Sequence, residues 1–82
     1  MSTDDARVTV YTRPGCHLCE QALAVVARVC ADVGERYTEV NIDEDPELTR
    51  RFGEEVPVTF VDGRQHDFWR VSEDRLRAAL RG

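Results

Sequence analysis

Residues 7–19 read RVTVYTRPGCHLC, and this stretch decides the fold class. Its first six residues alternate and are rich in β-forming types, which predicts a first strand. Pro14 and Gly15 end that strand, and a helical spacing of apolar residues begins at Cys16. Two cysteines separated by two residues therefore lie where a strand turns into a helix.

The helix that starts at Cys16 is predicted to run to about Val33, with Gly34 placed to end it. Its apolar residues repeat at the spacing of one buried face. The predicted buried stripe consists of Cys19, Leu23, Val26, Cys30 and Val33. Cys30 is accordingly predicted to be a core residue, because free cysteine is among the most buried residue types.

Downstream of this helix, alternation and turn residues predict three more strands and two more helices. Asp45-Pro46 is typical of a helix start, Asp62-Gly63 of a hairpin, and Ser72 of an N-cap. The predicted elements are a strand over 36–42 packing through Tyr37, Val40 and Ile42, a helix over 47–52, strands over 56–61 and 65–70, and a last helix with Leu76, Ala79 and Leu80 on its apolar stripe. The strand over 56–61 is expected to be central, because its run of apolar residues is nearly continuous.

The resulting order, β-α-β-α-β-β-α, defines an α/β fold with a four-stranded mixed sheet and helices on both faces. The first βαβ unit requires a right-handed crossover, and the closing hairpin adds an antiparallel edge. We expect residues 7–82 to form a single domain and residues 1–6 to be a flexible N-terminus.

The chain is acidic, with a net charge of −5, which disfavours binding to the phosphate backbone of nucleic acids. Residues 1–5 are polar and lack the basic and apolar regions of a secretory signal. The apolar stretches are shorter than the ~18 residues that a membrane helix needs. We therefore expect a cytoplasmic protein that contacts neither nucleic acid nor membrane. In that compartment a close pair of cysteines indicates redox or metal chemistry.

Cys16 and Cys19 are the candidate catalytic residues. Cys16 is expected at the helix N-terminus, where free backbone N–H groups and the helix dipole lower a thiol pKa below about 8.5. Arg13 would add positive potential. Cys19 lies one turn inward on the buried face, so it is shielded and close enough to attack a mixed disulfide on Cys16. The pair thus predicts an exposed nucleophile followed by a resolving thiol.

A zinc half-site is an alternative interpretation of a C-x-x-C pair, and it requires two more ligands. The remaining candidates are Cys30, His17 and His66. Cys30 would lie about 16 Å along the helix from Cys19, too far for a shared metal or a disulfide. We interpret His17 as a tuner of the thiol potential and His66 as a solvent-exposed hairpin residue. We predict no metal site.

Pro57 lies in what otherwise has the pattern of a central strand, where proline is unusual. Proline is tolerated at the first residue of a strand, and a cis Val56–Pro57 bond is a second explanation. The spacing of residues leaves both open.

Three segments of the chain resemble the glutaredoxin family. Residues 10–19 (VYTRPGCHLC) resemble its strand-to-helix segment, residues 55–58 (EVPV) its cis-proline segment, and residues 61–63 (VDG) the hairpin that follows. The resemblance extends over residues 7–80. It implies a thioredoxin-like (glutaredoxin-like) fold and a redox-active disulfide used in electron transport, with Pro57 cis and facing Cys16.

The resemblance also implies substrate-binding residues. Arg13 matches the basic position that contacts glutathione in glutaredoxins. The backbone of Val56, beside Pro57, would pair with a bound thiol substrate, as in β-augmentation. Glu73 and Asp74 match the acidic helix start at which the glutamyl end of glutathione docks.

The stretch from Phe68 to Arg70 departs from the family pattern, because glutaredoxins carry a Gly-Gly pair there. Bulky side chains in its place are expected to weaken glutathione binding. Trp69 is a candidate partner-docking residue, with ordinary packing against the last helix as the alternative. We therefore expect slower turnover with glutathione than with a thioredoxin-reductase-type flavoenzyme.

Two functions from different classes follow. The first is a glutaredoxin-like dithiol–disulfide oxidoreductase, an enzyme that exchanges electrons with protein or low-molecular-weight disulfides through Cys16 and Cys19. It would hold no bound cofactor, use glutathione or thioredoxin reductase as reductant, and act as a monomer. The second is a non-catalytic metal or iron–sulfur carrier in which Cys16 ligates a cluster across a dimer. The intact Cys19 favours the first.

Overall fold

The computed structural model describes residues 6–81, which form four strands and three α-helices. In chain order these elements are β1 (Val8–Thr12), α1 (His17–Val33), β2 (Tyr37–Asn41), a 3₁₀ turn (Ile42–Glu44), α2 (Pro46–Phe52), β3 (Val58–Val61), β4 (Arg64–Phe68) and α3 (Glu73–Arg81). The predicted order of strands and helices is confirmed, with the 3₁₀ turn added. Of the predicted flexible N-terminus, residues 1–5 lie outside the described residues.

The four strands form one mixed sheet in the order β2-β1-β3-β4. β1 pairs in parallel with β2, with Val8 opposite Tyr37, and antiparallel with β3, with Tyr11 opposite Val58. β3 and β4 form the antiparallel hairpin predicted at Asp62-Gly63. β1 and β3 are therefore the two central strands, and the chain leaves β1 toward Cys16 beside the start of β3.

Helices cover both faces of this sheet, as predicted. On one face, α1 and α3 pack on β1 and β3 through a cluster that includes Val8, Val26 and Leu76. On the other face, α2 and the 3₁₀ turn pack through Phe52 and Ile42, joined by aromatic and apolar side chains of β1 and β3. Burial of apolar surface on both faces makes the sheet a rigid support for the segments that follow its strands.

The buried face of α1 is rotated slightly from the predicted stripe. Leu23 and Val33 are only partly buried, whereas Ala22 and Val29 are fully covered. The reason is that α1 packs against both the sheet and α3, so its buried face is wider than one row of residues. Gly34 ends the helix as predicted, with φ of 77°.

The second predicted strand differs from the observed one in what it buries. Tyr37 is 39% exposed and Val40 is half-buried, because β2 is an edge strand. Ile42 is buried, as predicted, but it belongs to the 3₁₀ turn and packs with α2. The expectation that Tyr37 is a packing residue of the core was wrong.

The ends of β3 and β4 also differ from prediction. β3 begins at Val58, directly after the cis Val56–Pro57 bond, rather than at Val56. β4 ends at Phe68, since Trp69 adopts φ of 64° and turns the chain away from the sheet. Within residues 6–81, the helices are too short or too polar for any of them to cross a membrane.

Candidate redox site

A disulfide joins Cys16 and Cys19, whose Cα atoms are 5.2 Å apart. Cys16 is the N-cap of α1 and has an extended backbone, whereas Cys19 lies in the first turn of the helix. Gly15 precedes the pair with φ of 75°, a conformation that glycine adopts without a steric cost. The turn from β1 into α1 thus brings the two sulfur atoms together at the helix N-terminus.

The sulfur of Cys16 takes the place of the side-chain oxygen in an ordinary helix cap. The backbone N–H of Cys19 donates to Cys16 Sγ over 3.1 Å. Cap positions favour groups that accept from these unpaired N–H groups, and the helix dipole adds to the preference for negative charge. That the same environment stabilises a reduced Cys16 as the nucleophilic thiolate remains a prediction.

The two cysteines differ in accessibility. Cys16 is half-buried, whereas Cys19 is only 3% exposed and lies in the apolar interior. Cys16 is therefore the more accessible of the two residues. The arrangement suits the predicted division of roles between a nucleophile and a resolving thiol.

The Val56–Pro57 peptide bond is cis, and Pro57 is fully buried. The register of β3 against β1, with Val58 opposite Tyr11, places Pro57 beside the chain that leads to Cys16. That Pro57 faces Cys16, and that the Val56 backbone pairs with a substrate, remain predictions. The Pro57 carbonyl accepts from the backbone N–H of Trp69 over 2.8 Å. This bond fixes the loop after β4 beside the cis-proline.

Arg13 is held by groups of the neighbouring loops. Its Nε donates to Asp43 over 2.9 Å, and its Nη1 donates to the carbonyl of Gly53 over 3.1 Å. The ion pair with Asp43 offsets much of the positive potential that was expected near Cys16. A glutathione carboxylate would have to share this guanidinium with Asp43, and the contact with glutathione stays a prediction.

Glu73 and Asp74 lie at the start of α3 in different surroundings. Glu73 accepts from Arg28 and from Arg77, each over 2.8 Å, and these bonds lower its pKa to about 2. The carboxylate therefore joins α1 to α3. Asp74 is exposed. Any use of Glu73 by a glutathione amino group would compete with two guanidinium groups already bound to it.

Phe68 and Trp69 form an exposed aromatic pair. They are 47% and 52% exposed, and their ring centroids lie 5.0 Å apart in an edge-to-face arrangement. The Trp69 indole N–H donates to the carbonyl of Glu54 over 3.1 Å. Large aromatic side chains left this exposed beside a reactive group are typical of a contact surface.

A groove of about 230 Å³ separates Trp69 from α1. One wall is formed by α1 side chains at the spacing i, i+3, i+4, i+7, from Leu18 to Val25, and the other by Trp69, Arg70 and Val71. The predicted elements do not include this groove. The sequence signal for it is the apolar residues Leu18, Ala22 and Val25, which share a face of α1 and lie outside the predicted buried stripe.

The remaining candidate ligands are dispersed. Cys30 is buried in the core as predicted, and burial raises the pKa of its thiol. The expectation that His66 is solvent-exposed was wrong: its side chain is 13% exposed. β4 holds it against Asp67, whose carboxylate lies 3.9 Å from Nε2. His17 is exposed at the start of α1. In the described part of the chain, no three His, Cys, Asp or Glu side chains cluster as metal ligands do.

The fold is that of the thioredoxin superfamily. Thioredoxin-2 of a malaria parasite, a component of its protein secretion machinery, superposes with a TM-score of 0.68 at 20% identity. The alignment covers 90% of this chain and 79% of that one. At this identity the similarity establishes the fold alone.

Sequence comparison identifies the family within that superfamily. Residues 7–81 match the glutaredoxin-like domain (DUF836), and the chain belongs to this family. The Xanthomonas campestris protein XcR50 is 37% identical over 90% of this chain and 95% of its own, with a TM-score of 0.75. The Mycobacterium tuberculosis protein Rv0508 is 34% identical over 79 residues, 90% of this chain and 81% of its own. The predicted resemblance to glutaredoxins is thereby confirmed.

Proposed function

We propose that this protein is a dithiol–disulfide oxidoreductase that reduces disulfides of proteins or small thiols in the cytoplasm. The observation that carries the proposal is the Cys16–Cys19 disulfide at the N-terminus of α1, with a backbone N–H directed at the sulfur of the more accessible cysteine. Membership of a glutaredoxin-like family supports it.

The reaction proceeds in two exchanges. In the reduced protein, the Cys16 thiolate attacks one sulfur of a substrate disulfide, which forms a mixed disulfide and releases the other sulfur as a thiolate. Cys19 then loses its proton and attacks Cys16 Sγ, which releases the second substrate sulfur. The products are the Cys16–Cys19 disulfide and two substrate thiols, so two electrons have passed to the substrate. One proton comes from Cys19, and the other, which Cys16 had already given up to become a thiolate, comes from the solvent.

The protein must be reduced again before another cycle. A dithiol of a thioredoxin-reductase-type flavoenzyme, or two molecules of glutathione, would supply the two electrons. The flavoenzyme is the better candidate, because Arg13 and Glu73 are already bound to Asp43, Arg28 and Arg77. A glutathione molecule would therefore displace existing ion pairs at two of its three expected anchors.

A coupled assay tests both parts of the proposal. Reduction of an insulin disulfide is followed by NADPH consumption, with thioredoxin reductase or with glutathione plus glutathione reductase as donor. We expect turnover in both systems and a higher rate with thioredoxin reductase. A higher rate with glutathione would contradict the choice of donor, and no reduction with either donor or with dithiothreitol would contradict the proposed activity.

The metal-carrier alternative is tested on the same preparation. A cluster ligated by Cys16 across a dimer would give visible absorbance and a dimeric mass on gel filtration. We expect neither, because Cys19 is positioned to form a disulfide with Cys16. Stoichiometric metal, bound by the wild type and lost on the substitution Cys16→Ser, would support the carrier instead.

A further inference from the structure

The groove between α1 and residues 69–71 begins at Leu18, which lies between Cys16 and Cys19 in the first turn of α1. A protein substrate joined to Cys16 would therefore pass over the mouth of the groove within a few residues of its own cysteine. The lining combines apolar side chains, among them Leu18, Val25 and Val71, with the polar side chains of Gln21 and Arg70. It can cover an apolar side chain of such a segment.

The charge of the groove is opposite to that of the whole molecule. The chain has a net charge of −5, yet among residues 6–81 no acidic side chain lines the groove, whereas the basic side chain of Arg70 does. Arg70 is exposed and has no ion pair with any residue in the range 6–81. Several other arginines, among them Arg28, Arg75 and Arg77, are bound to carboxylates. Arg70 is thus free to receive an external carboxylate.

The position of Trp69 gives the groove a fixed edge. The Trp69 backbone N–H is bound to the Pro57 carbonyl, and its indole N–H is bound to the Glu54 carbonyl. Its φ of 64° costs a bulky residue about 1 kcal/mol or more, whereas glycine adopts the same φ without that steric cost. The indole is therefore held in place, half-exposed, between the cis-proline loop and the groove.

We propose that this groove binds an extended segment of a protein substrate next to its disulfide, with an apolar side chain in the groove and an acidic residue against Arg70. The inference rests on the proposed function, because it names the class of substrate for that activity. The apolar contact would hold the segment in place, and the charge would select among segments and accelerate encounter.

Two disulfide-cyclised peptides test the proposal. Each peptide has a leucine next to one of its cysteines, followed by two residues. These two residues are both glutamate in one peptide and both lysine in the other, and the rest of the sequence is identical. The rate at which the reduced protein reduces each peptide is divided by its rate with an uncharged small disulfide, hydroxyethyl disulfide. We expect the glutamate peptide to react about fivefold faster by this ratio, as expected for one exposed ion pair. The preference should decrease at high salt.

Two substitutions identify the groove as the cause. Arg70→Glu should abolish or reverse the preference between the peptides. Trp69→Gly, which suits the backbone at this position, should lower the ratio for both peptides about three- to tenfold, as expected for the loss of an aromatic contact. Arg64→Glu makes the same charge change at the other end of β4, and Tyr37→Ala removes an exposed aromatic residue of β2. Both controls should leave the ratios unchanged.

The outcomes separate the two levels of inference. Equal ratios for the two peptides, or a preference that survives Arg70→Glu, would overturn the proposed groove while the proposed activity stands. If the reduced wild type reduces neither hydroxyethyl disulfide nor either peptide, the proposed activity fails, and the assigned substrate class fails with it.

Discussion

The two ends of β1 illustrate how one small domain separates stability from chemistry. At the N-terminal end, Arg7 binds the carboxylates of Asp62 and Glu35 and the carbonyl of Leu80, which joins the hairpin, the end of α1 and the end of α3. Beyond the C-terminal end, the chain continues into the Cys16–Cys19 disulfide, and Trp69, which follows β4, is exposed. Polar groups are paired at the first end, and reactive and apolar groups remain accessible at the second.

The exposure of side chains near the disulfide is not a general looseness of the surface. The same central strand carries a closely bonded network at one end and an accessible sulfur at the other. Because β1 is covered on both faces, the two ends are held by the same core. We therefore expect substitutions near the disulfide to lower the rate of thiol–disulfide exchange, and substitutions at the Arg7 end to lower the free energy of unfolding.

The largest expected effect is at the disulfide. Cys16→Ser should reduce thiol–disulfide exchange by a factor of about 10³ or more, because it removes the nucleophile. Cys19→Ser should trap a mixed disulfide on Cys16, because the resolving thiol is missing. Mass spectrometry after incubation with an oxidised peptide would measure both. A stable mixed disulfide on Cys19 in the Cys16→Ser variant would contradict the assigned roles.

At the opposite end, Arg7→Ala should lower the free energy of unfolding with little change in exchange rate. The substitution leaves Glu35, Asp62 and the Leu80 carbonyl without their shared donor. Urea unfolding and the insulin assay would measure the two properties. Arg64→Ala is the matched control, since Arg64 lies on the hairpin that Arg7 contacts through Asp62 but is exposed and outside this network. A redox defect as large as the stability defect would contradict the separation of the two ends.

Cys30→Ala should reduce stability by about 1 kcal/mol and leave exchange unchanged. Cys30 is buried in the cluster formed by α1, α3 and the sheet, so the substitution leaves a small cavity. Burial also raises the pKa of its thiol, so it should not react with iodoacetamide until the protein unfolds. Labelling of Cys30 in the native protein at the rate of Cys16 would contradict this.

The smallest effect concerns acid. The Glu73 pKa is lowered from 4.5 to about 2 in the folded protein, chiefly by hydrogen bonds from Arg28 and Arg77. A carboxyl group with a lowered folded-state pKa contributes stability above its unfolded pKa, and this contribution is lost as the pH falls through the folded value. Stability should thus decrease from about pH 5 to pH 2, and Glu73→Gln should flatten that slope. An unchanged slope would show that other carboxylates dominate.

Much of the fold could be predicted from local patterns. The alternation in residues 7–12, the caps at Asp45 and Gly34 and the turn at Asp62-Gly63 each depend on neighbours in the chain, and each is found in the structure. Tyr37 was misjudged because alternation does not reveal which strand lies at an edge. His66 was misjudged because its burial depends on the packing of β4 and not on its own segment.

The candidate redox site was predictable from local sequence, because a C-x-x-C pair at a strand-to-helix turn comes together within one helical turn and needs no distant residue. What surrounds that pair depends on the packing of segments that are distant in the chain. Packing brought Trp69 to the Pro57 carbonyl and Arg13 to Asp43, and it formed the groove between α1 and residues 69–71. These contacts join segments far apart in the chain, and their geometry follows from how helices and loops pack on the sheet rather than from any local periodicity.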